Sequence, residues 1–118
     1  MTPHFSNAEL ACKCGCGMLP NPDFMEKVEG LRHIYNRPMP VTSAARCPTH
    51  NAKVSSTGRN GPHTTGRAID IAVRGADALD LVRVALSLGG FTGVGVSQKG
   101  DARFVHFDDL PRKALWSY

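Results

Sequence analysis

The chain has 118 residues and a formal net charge of +4, and 42% of its residues are hydrophobic. These values are typical of one globular domain with a modest core. No apolar run approaches the roughly 20 residues that a membrane-spanning helix needs. The N-terminus also lacks the basic and then apolar pattern of a secretory signal. The lysines and arginines are scattered along the chain, so the positive charge does not by itself indicate a nucleic-acid partner.

Two helices are predicted in the first part of the chain. The stretch "SNAE" at 6–9 has the pattern of a capping box, in which Ser6 caps a short helix and Glu9 reaches back. Asn21 and Pro22 then begin a longer helix, which the apolar stripe continues and "RPMP" ends. Residues 1–20 contain "CKCGCG" and are interpreted as a Cys-rich N-terminal segment before the core of the domain at 21–118.

The second part of the chain alternates strands with helices. "VTS" at 41–43 predicts a short strand, "CPTHNAKV" one or two helical turns, and "SSTGRNGP" a loop. "RAIDIAV" predicts a strand, and "GADALDLVRVALSLGG" a helix that ends at Gly89 or Gly90. "FTGVGVS" and "ARFVHFD" predict two more strands, joined by a "QKGD" turn. The fold class is therefore α+β, with helices packed on an antiparallel sheet in one domain over 1–118.

Three side chains in these elements form a candidate metal site. Asp70 lies in an apolar strand and shares one face with Ala68 and Ala72, which leave room around the carboxylate. A buried carboxylate is costly unless it is paired with a cation. His63 precedes this strand and His106 lies on the last one. Two imidazoles and one carboxylate, with a fourth position left for water, are a common ligand set of catalytic zinc.

Several motifs carry a family resemblance. "HTTGRAID" resembles the H-x-x-G-x-A-x-D motif of the zinc D-Ala-D-Ala carboxypeptidase superfamily, which shares its fold with hedgehog signalling domains. "TSAARCPTHN" resembles its upstream S-G-Y-R-x-x-x-x-N segment, and "FVHFD" its C-terminal H-x-D strand. "HFSNAELACKCGCG" resembles the opening of the short, phage-associated subgroup. The order and intervals agree from about His4 to Asp108.

The resemblance implies a hedgehog/DD-peptidase-like fold and a role for each matching residue. His63, Asp70 and His106 would hold one catalytic Zn²⁺, and Arg46 would bind substrate and stabilise the oxyanion. The implied activity is that of a zinc metallopeptidase, either a carboxypeptidase or an endopeptidase. Its substrate would be a peptide of bacterial peptidoglycan that contains D-amino acids. We expect a monomeric, endolysin-like enzyme that is made in the cytoplasm without a signal peptide and acts on the cell wall or periplasm after release.

The sequence also departs from the family's pattern. The serine of the family's S-x-H opening is replaced, since the chain reads "GPH" before the motif. Many members carry an acidic general base three residues before the last histidine, and Arg103 stands there in this chain. Two candidates for the base therefore stay open. Asp108 shares a strand face with His106 and is favoured, and Asp101 lies in the preceding turn. Asp108 has an alternative role, which is to accept a hydrogen bond from a ligand histidine and fix its tautomer.

The four cysteines have three possible states. A disulfide between Cys47 and one of the N-terminal cysteines is geometrically plausible, and free thiols are a second state. A second, structural zinc ion is the third, although the C-x-C spacing is tighter than the usual C-x-x-C. In either bonded state the bond would connect the N-terminal loop to the segment that carries Arg46. The residues concerned are Cys12, Cys14, Cys16 and Cys47.

Two other functions compete with the peptidase. One is a non-catalytic, zinc-containing binding module of the same fold, which hedgehog-type domains exemplify and which Arg103 at the usual base position keeps open. The other is a cysteine-rich zinc module that binds nucleic acid. The scattered charge and the pattern of His63, Asp70 and His106 argue against the second, so no nucleic-acid partner is expected.

Overall fold

The computed structural model describes all 118 residues. Its first two helices begin at the caps that the sequence predicts. The Ser6 side chain accepts a hydrogen bond from the Glu9 N–H while the Glu9 side chain accepts one from Ser6, which is the predicted capping box. The Asn21 side chain accepts hydrogen bonds from the N–H groups of Asp23 and Phe24. The helices are α1 (Asn7–Leu10), α2 (Pro22–Tyr35), α3 (Pro48–Val54), α4 (Gly75–Leu88) and a short 3-10 helix at Pro62–Thr65.

The five strands form one sheet. They are β1 (Val41–Ser43), β2 (Ala68–Ile71), β3 (Gly93–Ser97), β4 (Phe104–Asp108) and β5 (Ala114–Ser117), in the order β1-β2-β4-β3-β5. The predicted α+β architecture is confirmed, but the sheet is mixed rather than purely antiparallel, because β5 pairs with β3 in parallel. Gly93, the first residue of β3, pairs with both Asp108 and Ala114. A short connection after β4 therefore returns the chain to the start of β3, and β5 runs in the same direction.

The two faces of the sheet have different environments. Alternation along β2 and β4 places Ile69 opposite Phe107 and Ile71 opposite Val105, and all four side chains belong to the hydrophobic core. Helices α2 and α4 contribute Phe24, Val28, Leu31, Ala78 and Leu81, among others, to the same core. The residues that alternate with these strand positions, including Asp70 and His106, therefore point to the other face.

The longest helices, α2 and α4, have 14 residues each. None of the helices combines the length and apolar character that crossing a bilayer requires.

Candidate metal centre

Strand register aligns one row of residues across the polar face of the sheet. Asp70 on β2 is paired with Ser43 on β1 and with His106 on β4. His106 is in turn paired with Gly95 on β3, and Gly95 with Trp116 on β5. The row brings together residues from five strands, and the sequence-predicted Asp70 and His106 lie at its centre.

His63 approaches this row from the 3-10 helix. Pro62 begins that helix and Gly66, with φ +74°, ends it just before β2. The His63 Nε2 atom lies 3.2 Å from one Asp70 carboxylate oxygen, and the His106 Nδ1 atom lies 3.0 Å from the other. All three side chains are buried, with exposures of 6%, 9% and 2% for His63, Asp70 and His106. The three predicted ligands therefore converge on one point from three elements.

The hydrogen bonds behind the two imidazoles determine which nitrogens face Asp70. His63 Nδ1 lies 2.8 Å from the carbonyl oxygen of Ala44, which can only accept, so Nδ1 carries the proton. His106 Nε2 lies 2.8 Å from Asp108 Oδ2, which is likewise an acceptor. In the neutral imidazoles, the lone pairs of the other two nitrogens then point at the Asp70 carboxylate. Such an arrangement of acceptors is unfavourable unless a proton or a metal cation lies among them, and the donor set suits zinc.

The charges at the centre follow from the same contacts. Burial alone would raise the pKa of Asp70, but its contacts with the His106 and His63 imidazoles lower that pKa to about 2. Burial would lower the pKa of His106, yet Asp108 and Asp70 raise it above its usual value. Asp70 is therefore ionised at neutral pH and ready to neutralise part of the charge of a bound cation.

Arg46 lies on the wall of the same cavity and its charge has no carboxylate partner. Its guanidinium donates hydrogen bonds to the Ser43 hydroxyl at 2.7 Å and to Asn51 Oδ1 at 2.9 Å. Asn51 is buried, and its amide nitrogen donates to Thr57 at 2.8 Å. Neutral partners thus fix the guanidinium without neutralising it, which leaves a positioned positive charge near the three ligands.

The two candidate bases lie in different surroundings. Asp108 is fully buried and does not line the cavity; both its oxygens accept hydrogen bonds from Arg112, at 2.7 and 2.9 Å, and one also contacts His106. Burial would raise its pKa, but His106 and Arg112 hold the pKa well below the usual range. Asp101 lies in the exposed turn after β3, beside Arg103 in a separate small cavity. These contacts favour the orienting role of Asp108.

A cavity of about 600 Å³ opens above the three ligands, and part of its wall was not identified from the sequence. Trp116, Tyr118 and Phe104 line it together with Arg112. Trp116 lies outside the motifs that the sequence singles out, yet its ring centroid lies 4.9 Å from that of His106. The signal that was available is "GVGVS", where Gly93 leaves room for the Asp108–Arg112 pair and Gly95 leaves room for Trp116.

A small α+β fold with two histidines and one aspartate converging in a cavity beside an unpaired arginine defines a candidate metallohydrolase centre. A family model described as Peptidase M15 matches residues 3–108, which is most of the chain. The chain therefore belongs to the M15 family of zinc-dependent metallopeptidases. A comparison with curated proteins found no match.

Proposed function

We propose that the protein is a zinc-dependent metallopeptidase that cleaves peptide bonds in bacterial peptidoglycan. The observation that carries the proposal is the convergence of His63 Nε2, His106 Nδ1 and the Asp70 carboxylate, with both imidazole lone pairs aimed at one point. Membership of the M15 family supports the reaction class.

Each side chain of the centre has a distinct task in this proposal. His63, Asp70 and His106 would hold the ion, and zinc bound by such a set activates water near neutral pH and polarises a carbonyl group. Asp108 orients His106 through its Nε2 atom. Arg46 presents a guanidinium that its neutral partners hold in place, and it would stabilise negative charge that develops on the substrate carbonyl.

The substrate is inferred from the cavity and the family together. Arg46, whose charge has no carboxylate partner, makes one wall of the cavity positive, which suits peptides that carry free carboxylates, as peptidoglycan stem peptides do. The aromatic wall formed by Phe104, Trp116 and Tyr118 can pack against the apolar parts of such a peptide. We further propose that the enzyme belongs to the phage-associated subgroup, works as a monomer and reaches the cell wall after release from the cytoplasm.

Digestion of purified sacculi tests the proposal directly. Sacculi are incubated with the protein with and without a chelator, and the released peptides are identified by mass spectrometry. A chelator-sensitive cut that His63→Ala abolishes and that His33→Ala retains is the expected result, since His33 is exposed on α2. A cut that persists in His63→Ala, or in excess chelator, would refute the metal mechanism.

One observation favours a second candidate, a non-catalytic binding module with the same zinc site. Asp70 is the only acidic side chain that lines the cavity, and Asp108 is engaged with His106 and Arg112. A free acidic group to accept the proton of water is therefore missing from the wall. The binding module predicts that the protein binds zinc and retains muropeptides in equilibrium dialysis but releases no fragments, whereas the peptidase predicts fragments.

A further inference from the structure

The four cysteines of the chain form a cluster that shares no residue with the candidate metal centre. Cys12, Cys14 and Cys16 lie in the loop between α1 and α2, and Cys47 is the N-terminal cap of α3. All four sulfur atoms lie within 4.8 Å of one another. The chain has no other cysteine. Every thiol in the molecule is therefore in one cluster.

The separations between the sulfur atoms match the geometry of a bound ion better than that of a disulfide. The Cys12 and Cys14 sulfurs are 3.4 Å apart, and those of Cys14 and Cys47 are 3.6 Å apart. Four sulfurs at about 2.3 Å from a tetrahedral zinc ion lie roughly 3.8 Å from each other. A disulfide brings only two sulfurs together, at about 2.05 Å, and gives no reason for four to converge.

The backbone of the loop is shaped so that its sulfurs face Cys47. Gly15 and Gly17 adopt positive φ values of +86° and +87°, which side-chain-bearing residues rarely adopt. The Cys12 N–H donates to the Met18 carbonyl at 2.9 Å and closes the loop. Because the chain reverses within a few residues, cysteines at C-x-C spacing can point to one centre, as cysteines at the usual C-x-x-C spacing do.

Backbone N–H groups also point at the sulfurs. The Cys47 N–H donates to Cys12 Sγ at 3.3 Å, and the His50 N–H donates to Cys47 Sγ at 3.4 Å. Donors aimed at sulfur stabilise the thiolate form, which is the form that binds a metal ion. The hydrogen bonds around the cluster and the separations of its sulfur atoms therefore both favour a bound metal ion.

We propose that Cys12, Cys14, Cys16 and Cys47 bind a second zinc ion in a closed structural site. Binding releases the four thiol protons to solvent and forms four Zn–S bonds, and no redox partner is needed. Four thiolates complete a tetrahedral shell, so no position is left for water or substrate. An iron–sulfur cluster is disfavoured because several irons would hold the thiolates further apart than this compact group.

The ion would fix the part of the chain that carries Arg46. Cys47 directly follows Arg46, and the Arg46 N–H donates to the carbonyl oxygen of His63 at 3.2 Å. The Ala45 N–H donates to the carbonyl oxygen of Leu10 at 3.2 Å. This backbone hydrogen bond joins the segment that carries Arg46 to the end of α1. A metal site bridging Cys47 and the N-terminal loop would add a strong connection there, beside the arginine of the cavity.

Zinc content of the wild-type chain and of three variants tests the site. We expect two zinc ions per wild-type chain, one in His63→Ala and one in the double variant Cys14→Ser, Cys16→Ser. Lys13→Ser, which changes an exposed residue of the same loop and keeps every thiol, should retain two. Cobalt loaded into His63→Ala should show a thiolate-to-metal charge-transfer band. Chelation of the His63→Ala protein should lower its Tm, since only the cysteine site then holds metal.

The possible outcomes separate this inference from the proposed function. One ion in the wild type that His63→Ala removes would overturn the cysteine site and leave the peptidase proposal intact. One ion in the wild type that His63→Ala retains would support the cysteine site and contradict the zinc site of the peptidase proposal. A disulfide found by mass spectrometry of the non-reduced protein would also overturn the site. If the serine variant fails to fold, Cys14→His tests the site instead, because histidine can replace a cysteine as a zinc ligand. This variant should fold and bind two ions. A folded Cys14→His chain with only the His63-dependent ion would contradict the inference.

Discussion

The indole ring of Trp116 packs so closely over Gly95 that a Cβ atom at position 95 would lie 2.5 Å from the Trp116 Nε1 atom. The same ring lies 4.9 Å, between centroids, from His106. Glycine at position 95 is therefore what allows β5 to lay its aromatic side chain beside a candidate zinc ligand. One pair of residues on neighbouring parallel strands thus determines the shape of the cavity wall.

Gly95→Ala should displace Trp116 from the wall of the cavity. The added methyl group meets indole atoms whose movement is restricted by packing, and we expect a cost of about 1–3 kcal/mol in the free energy of unfolding. Because Trp116 is the only tryptophan of the chain, its fluorescence spectrum reports the displacement directly. Thermal unfolding measures the loss of stability.

Gly30→Ala is the matched control for this experiment. Gly30 lies in α2, and a Cβ atom there would meet nothing within 4 Å. Alanine in a helix interior is favoured over glycine by about 1 kcal/mol, so this variant should be as stable as the wild type or more so. An unchanged fluorescence spectrum and stability in Gly95→Ala would contradict the packing argument.

Asp108→Asn distinguishes the two roles considered for Asp108. If Asp108 orients His106, loss of its negative charge should weaken zinc binding by about 10–100-fold, measured by competition with a chelator. If Asp108 is instead the general base, kcat should fall in the zinc-saturated enzyme while zinc affinity stays the same. Asp101→Asn is the control, and it should change neither quantity, because Asp101 lies in an exposed turn outside this cavity.

Arg46→Lys keeps a positive charge but cannot reproduce the two hydrogen bonds to Ser43 and Asn51. We expect kcat to fall by about 10²–10³-fold, the usual consequence of losing one donor to an oxyanion. Zinc content should be unchanged, since Arg46 is not a ligand. Arg83→Ala, a change at an exposed position on α4, should have wild-type kinetics. Equal activity in Arg46→Lys would remove the oxyanion role.

Asp109 should make stability depend on pH. Its carboxylate accepts hydrogen bonds from Arg67 at 2.8 and 2.7 Å and from Lys27 at 2.8 Å. Burial would raise the pKa of Asp109, but these cations lower it overall. Because the pKa is lowered, the pairing stabilises the fold fully above the unfolded pKa of about 4, and this stability is lost as pH falls from there through the lower pKa of the folded state.

Asp109→Asn should therefore lower the free energy of unfolding by about 1–3 kcal/mol at pH 7 and by less near pH 3. Urea unfolding of both proteins at the two pH values measures the difference. The same loss at pH 7 and at pH 3 would show that the carboxylate charge is not what stabilises the pairing.

Local features of the sequence determined the helices, most strand positions and the identities of the three candidate zinc ligands. Helix caps at Ser6 and Asn21 depend on hydrogen bonds within three residues, so the motif carries all the information that the cap needs. Period-two alternation placed Asp70 on the face of Ala68 and Ala72, and His106 on the face of Asp108, for the same reason. The sequence also limited the choice for the general base to Asp108 and Asp101.

Only the tertiary structure decided how distant residues meet. Parallel pairing of β5 with β3 depends on where the chain returns after β4, and local patterns do not encode that path. That path also brings Arg112 to Asp108, whose two oxygens it helps to bury, and it brings Trp116 close to His106. The meeting of Cys47 with the N-terminal thiols likewise depends on the packing of two segments that are separated by about thirty residues. Such contacts form only when the core positions both segments, so their geometry is a property of the whole fold.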